Sequence, residues 1–144
     1  MAAINPYVTY LGNCEEAFTF YKSVFGGEFT YVGRFGEMPP EMGTSPEDAN
    51  KIMHISLPIS DETILMGCDA AGSFGAGTKI GNNISLSINA KSREEADRLF
   101  NGLSAGGNVT MAMNNTFWGA YFGMFVDRFG IGWMINYDEP QPQA

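Results

Sequence analysis

Apolar positions along the chain follow two alternating periods. Ala17, Phe20, Tyr21 and Val24 recur at i, i+3, i+4 and i+7, the spacing of one helix face. Ala96, Leu99, Phe100 and Leu103 repeat that spacing. Acidic pairs precede both stripes, Glu15-Glu16 and Glu94-Glu95, where the positive end of a helix dipole favours them. Asn13 and Ser92 occupy the predicted N-cap positions, and Gly26-Gly27 and Gly106-Gly107 the predicted stops. Around each helix the period shortens to that of strands, predicted over 4–10, 28–35, 52–57 and 63–66, then over 83–88, 109–113, 117–126 and 131–137. In 52–57 the alternation places Met53, Ile55 and Leu57 on one face and His54 and Ser56 on the other.

The second half repeats the first. Glu15, Glu16, Ala17 and Gly27 return as Glu94, Glu95, Ala96 and Gly106, in the same helical phase. The predicted fold class is α+β, built from two β-α-β-β-β modules in a single domain spanning 1–144. Module one covers about 1–70, a Gly-rich link about 71–81, module two about 82–138, and a flexible tail 139–144. Residues 36–50, with Pro39, Pro40, Pro46 and four acids, predict a long surface loop.

Composition narrows the partners. The chain is 144 residues, 44% hydrophobic and 17% charged, a globular balance in one domain's length. A net charge of -8 with no cluster of Lys or Arg excludes duplex nucleic acid and anionic membranes, which cations must neutralise. The start shows no basic segment followed by an apolar run, and no apolar run reaches the roughly 20 residues of a membrane helix. Cys14 and Cys68 are too few for a disulfide framework, so the expected setting is the cytoplasm, with both thiols free.

Chemistry-bearing residues are sparse. His54 is the lone histidine and the leading candidate for a general base or single ligand, against the alternative of a hydrogen-bonded strand residue. Glu37 is a second catalytic candidate, against a solvated loop acid. His54, Glu37, Asp69 and Cys68 can be drawn as one site, although their spacing does not demand it. Cys14 at a helix start would be stabilised as a thiolate; an inert small residue is the simpler reading. Gly75-Ala76-Gly77 and the Gly72/Gly77 spacing fail as phosphate loops: Thr78-Lys79 is in the wrong order, and no helix is predicted to follow. Residues 117–126 crowd Phe117, Trp118, Tyr121, Phe122 and Phe125, predicting a strand apolar on both faces. One face then needs a cover, either a ligand or a second copy.

Several segments carry a resemblance: Asn5-Pro6-Tyr7, Gly12-Asn13-Cys14-Glu15-Glu16-Ala17, Phe20-Tyr21 and Phe35-Gly36-Glu37-Met38-Pro39. Later come Asn115-Thr116-Phe117-Trp118-Gly119, Asp127-Arg128-Phe129-Gly130 and Trp133-Met134-Ile135-Asn136. In this order they resemble PhnB-like proteins of the glyoxalase/bleomycin-resistance group, the vicinal oxygen chelate superfamily. The resemblance implies modules that curve mixed sheets around a cavity, and a homodimer. Metal-dependent members hold a divalent ion through His, Gln or Glu on the first and last strands of each module. Carried over, those corners fall near Pro6 and Leu65 or Met66, and near Asn83 and Met134. These are poor ligands for hard cations. The expectation is therefore a small apolar or aromatic ligand bound with no metal and no cofactor. The expected lining is Tyr7, Phe35, His54, Met66, Phe117, Trp118, Tyr121 and Trp133. The alternative is a metal-dependent isomerase, lyase or dioxygenase with atypical ligands. Names within the group also imply phosphonate metabolism or ubiquinone methyl transfer, but the chain lacks the glycine-rich nucleotide turn a methyl donor would ordinarily use.

Overall fold

The structure, a computed structural model, describes residues 2–39, 45–71 and 75–140. Parts of the predicted loop, link and tail (40–44, 72–74 and 141–144) lie outside the described residues. The chain divides into two compact units, Met1–Lys79 and Ile80–Ala144. Among the described residues no helix is long and apolar enough to cross a membrane.

The first unit contains β1 (Tyr7–Tyr10), α1 (Cys14–Phe25), β2 (Tyr31–Arg34), β3 (Ile52–Pro58) and β4 (Ile64–Asp69). Its sheet runs β1-β4-β3-β2. β1 lies parallel to β4 with Tyr7 opposite Met66, and the other pairings are antiparallel. One face of the sheet is covered by α1, whose Cys14, Ala17, Phe18 and Tyr21 are buried. The predicted stripe is rotated: Phe20 and Val24 sit at its half-buried edge, and Phe18 takes the centre. Gly67 makes this contact possible. A Cβ there would come within 2.8 Å of Phe18 Cε1 and of the Val8 carbonyl. The Phe18 ring meets Tyr10 and Tyr21 edge-on, and the Tyr10 hydroxyl donates to that of Tyr21 at 3.1 Å.

The start of α1 departs from the prediction. The side chain of Asn13 makes no cap. The cap comes from β4: Asp69, 2% exposed, accepts the Cys14 N–H on one carboxylate oxygen and the Ile52 N–H on the other, both at 2.9 Å. One buried carboxylate thus satisfies a free helix-end donor and fixes the start of β3.

The second unit repeats the plan with β5 (Ser85–Asn89), α2 (Arg93–Ser104), β6 (Asn108–Asn115), β7 (Ala120–Val126) and β8 (Gly132–Asp138). Its sheet order is β5-β8-β7-β6, with β5 parallel to β8. The two units therefore share one topology, as the internal repeat predicts. Ser92 does cap α2, accepting the Glu95 N–H at 3.0 Å, while Glu95 reaches back to the Lys91 N–H. Ala96, Leu99, Phe100 and Leu103 are all buried, against Phe125, Trp133 and Ile135.

The predicted strand 117–126 begins three residues late, at Ala120. Thr116 and Ala120 close a hairpin turn through reciprocal hydrogen bonds, and Gly119 adopts φ +91°, a conformation open to glycine. The turn throws Phe117 and Trp118 outward, 97% and 58% exposed, so neither follows the predicted alternation.

Candidate functional site

On the face of the first sheet away from α1, the side chains enclose an open pocket of about 560 Å³ lined by Tyr7, Tyr31, Phe35, Met53, His54 and Cys68. Period two accounts for most of this set. Tyr7 on β1, Cys68 on β4, and Tyr31 and Gly33 on β2 point one way, while Val8, Leu65, Gly67 and Asp69 point toward the helix. Met53 breaks the pattern. The pairing steps from Gly33↔His54 to Arg34↔Ile52, so Met53 is an extra residue bulged into β3. The bulge separates Met53 from Ile55 and Leu57, with which simple alternation grouped it, and turns it into the pocket beside His54. Gly33 leaves room for this: a Cβ there would come within 3.1 Å of Met53 Cε and 2.8 Å of the Tyr31 ring.

His54 sits between two tyrosines, with ring centroids 5.5 Å from Tyr7 and 5.6 Å from Tyr31. Both of its nitrogens are engaged, Nδ1 with the Tyr7 hydroxyl at 3.2 Å and Nε2 with Ser56 Oγ at 2.8 Å. To serve as a base or a ligand, the imidazole would have to give up one of these partners. Tyr7 is the more available polar group. Half of it (49%) is open to solvent, yet burial of the remainder, reinforced by the Cys68 thiol, pushes its phenol up to about 12. It is therefore a neutral hydroxyl, able to donate, throughout the physiological range.

The other candidates lie elsewhere. Glu37 ends an exposed 3-10 turn, and no described contact joins it to His54. Asp69 faces the helix as the clamp described above. Cys14 is fully buried, and burial, then the Asp69 carboxylate, raise its thiol, opposite to the activated thiolate a helix start would favour. The four-residue site His54, Glu37, Asp69 and Cys68 is thus reduced to His54 and Cys68.

Among the expected lining residues, Tyr7, Phe35 and His54 border the pocket. Met66 shares the Cys68 face of β4, opposite Tyr7. Four lie in the second unit: besides the outward Phe117 and Trp118, Tyr121 and Trp133 belong to its helix-packed side. Tyr121 donates to Asp97 at 2.6 Å, which raises its phenol, and Arg93 stacks 3.8 Å over its ring. Trp133, 2% exposed, donates from Nε1 to Asp127 at 2.8 Å. The other Asp127 oxygen accepts the Phe129 and Ile131 N–H groups, and Arg128 donates twice to the Ala105 carbonyl beyond α2. The Asp127-Arg128-Phe129-Gly130 motif and Trp133 are one structural lock. Tyr31, Met53 and Ser56 were not picked out by the sequence. The alternation of Tyr31 with Gly33 was a usable signal for the first.

Of the carried-over metal corners, Pro6 and Asn83 lie just before β1 and β5, while Met66 faces Tyr7 and Met134 faces Ser87. Among the described residues no three His, Cys, Asp or Glu converge. Thioethers and neutral hydroxyls do not suit a hard divalent ion, so these residues do not fit the group's metal.

Comparison with known proteins places this geometry. Residues 2–136 match the family described as 3-demethylubiquinone-9 3-methyltransferase. Protein YjdN of Escherichia coli K12 is 34% identical, the alignment covering 96% of this chain and 97% of that protein. The crystal structure of protein PA1353 from Pseudomonas aeruginosa is similar at 38% identity and a TM-score of 0.84, covering 97% of this chain and all (100%) of the other. A PhnB protein from Bacillus cereus shares the fold, with a TM-score of 0.73 at 22% identity over 94% of this chain and 99% of that one. Structures of glyoxalase/bleomycin resistance/dioxygenase proteins share it as well. The chain belongs to the family described as 3-demethylubiquinone-9 3-methyltransferase and shares its fold with glyoxalase/bleomycin resistance/dioxygenase proteins.

Proposed function

We propose that the protein binds a small molecule with an apolar or aromatic body in the pocket of its first unit, without a metal ion. One observation carries this reading. Tyr7, Tyr31, Phe35, Met53, His54 and Cys68 line a ligand-sized cavity, and no Asp, Glu, Lys or Arg is among them. The rings supply contact area, and the Tyr7 hydroxyl, held by His54 and Ser56 behind it, supplies one oriented hydrogen bond. The doubly engaged His54 and exposed Glu37 do not form an acid-base pair, so binding is favoured over catalysis.

Thermal melting against a broad panel of metabolites and drugs tests the reading. A ligand at a hundredfold excess over Kd stabilises by about 2.7 kcal/mol, on the order of 5–10 °C for a chain of this size. Some compound is expected to reach that shift, and the double variant His54→Ala/Tyr31→Ala to abolish it. No shift from any compound, or a full shift in the double variant, refutes the reading.

A further inference from the structure

We infer that the ligand class for which the pocket is built is an organic cation, an alkylated ammonium on an apolar body, in preference to a neutral or anionic molecule of the same shape. The inference rests on the binding reading above and adds the sign of the ligand's charge. Three rings, those of Tyr7, Tyr31 and Phe35, border the cavity. The face of such a ring is the negative part of its quadrupole and attracts a cation lying within about 6 Å of the centroid. Tyr7 and Tyr31 flank His54, with ring centroids 5.5 and 5.6 Å from the imidazole, so both rings border the same part of the cavity. The remaining wall is soft: the Met53 thioether and Cys68 thiol present polarisable lone pairs.

The surrounding charge points the same way. No cationic side chain lines the pocket. Arg34, next to Phe35, is tied to both Glu15 oxygens and to the Asn50 carbonyl at 2.6–3.0 Å. Lys51, just before β3, is paired with Asp48 at 2.7 Å. These neighbouring cations are already matched by acids, and the whole chain carries -8. An anion would enter against the net field with only the neutral Tyr7 hydroxyl to pair it, whereas a cation meets aromatic rings and a favourable field. An alkylated ammonium is the cation that fits. Its diffuse charge sheds water readily, and its methyl groups suit apolar walls that offer few acceptors.

Isothermal titration calorimetry on the full chain, in roughly 0.15 M NaCl to screen general attraction, tests this with three molecules of matched shape. They are choline, its neutral carbon isostere 3,3-dimethylbutan-1-ol, and the anion 3,3-dimethylbutanoate. Choline is expected to bind about tenfold tighter than the alcohol, and the carboxylate weakest. Tyr31→Leu keeps apolar bulk and net charge at a half-exposed position, so the fold is retained. It is expected to cut choline affinity about fivefold more than it cuts that of the alcohol. Equal or tighter binding of the alcohol, an unaltered choline preference in Tyr31→Leu, or binding by none of the three overturns the assignment. In each of these cases the thermal panel still judges the cavity reading separately, because a neutral hit there supports binding while refuting the cation.

Discussion

Replacing Asp69 by Ala removes the acceptor of two buried backbone donors, the N–H groups of Cys14 and Ile52, each held at 2.9 Å. At 2% exposure the site leaves little room for water to take over. Each orphaned donor costs about 1–3 kcal/mol, so Asp69→Ala is expected to lose about 2–6 kcal/mol, a large share of the roughly 5–15 kcal/mol that holds a domain folded. Asp69→Asn is the sharper variant. Its single oxygen can serve one N–H, while its amide group sets a donor against the other, so it too should lose at least about 1 kcal/mol. The assay is urea unfolding at neutral pH, compared through the midpoint at constant slope. Circular dichroism is the suitable signal, because Trp118 and Trp133 both lie in the second unit and leave the first without tryptophan. Ligand affinity per folded molecule should be unchanged, since the carboxylate faces α1 and not the pocket. A loss below about 0.5 kcal/mol in Asp69→Ala would contradict the clamp. A fully stable Asp69→Asn that no longer binds ligand would return Asp69 to the functional site.

Other perturbations separate scaffold from site. Trp133→Phe removes the indole donor to Asp127 and should cost about 1–3 kcal/mol in the same unfolding assay, with no change in ligand affinity; weakened binding at full stability would contradict its placement in the core. Gly67→Ala drives a Cβ against Phe18 and the Val8 carbonyl and should destabilise by about 1–3 kcal/mol, where a neutral result would mean that α1 packs elsewhere. Tyr7 holds its proton to about 12 in the folded chain against 10.0 when free. Its contribution to stability is therefore complete below pH 10 and declines as pH rises toward 12. Alkaline unfolding should be less steep over that window in Tyr7→Phe, and identical profiles would place the phenol in water.

The repeat, both helices and the order of strands and helices were legible in the sequence, because helical and strand periods mark each element locally. Ala96, Leu99, Phe100 and Leu103 mark the buried face of α2 without help from tertiary structure. The first helix was legible only in outline, since the choice of Phe18 over Phe20 as the buried ring depends on the gap left by Gly67 on a distant strand. The same applies to its cap: no local rule assigns Asp69 to Cys14 across so long a stretch of chain. The candidate site was legible in Tyr7, Phe35 and His54, but Met53 enters it through a bulge, and bulges leave no mark in an alternating pattern. The aromatic surplus of the second half misled in two ways. A four-residue turn ejects Phe117 and Trp118, and Asp127 draws Trp133 into the core. Both depend on polar residues, Thr116 and Asp127, that hydrophobic periodicity does not read.

Amide chemical-shift mapping with the strongest stabiliser from the thermal panel tests the central claim most directly. The account predicts that the largest changes fall on Tyr7, Tyr31, Phe35, Met53, His54 and Cys68 and leave the second unit nearly silent. Changes centred on β5–β8, or on the exposed Phe117–Trp118 turn, would contradict it.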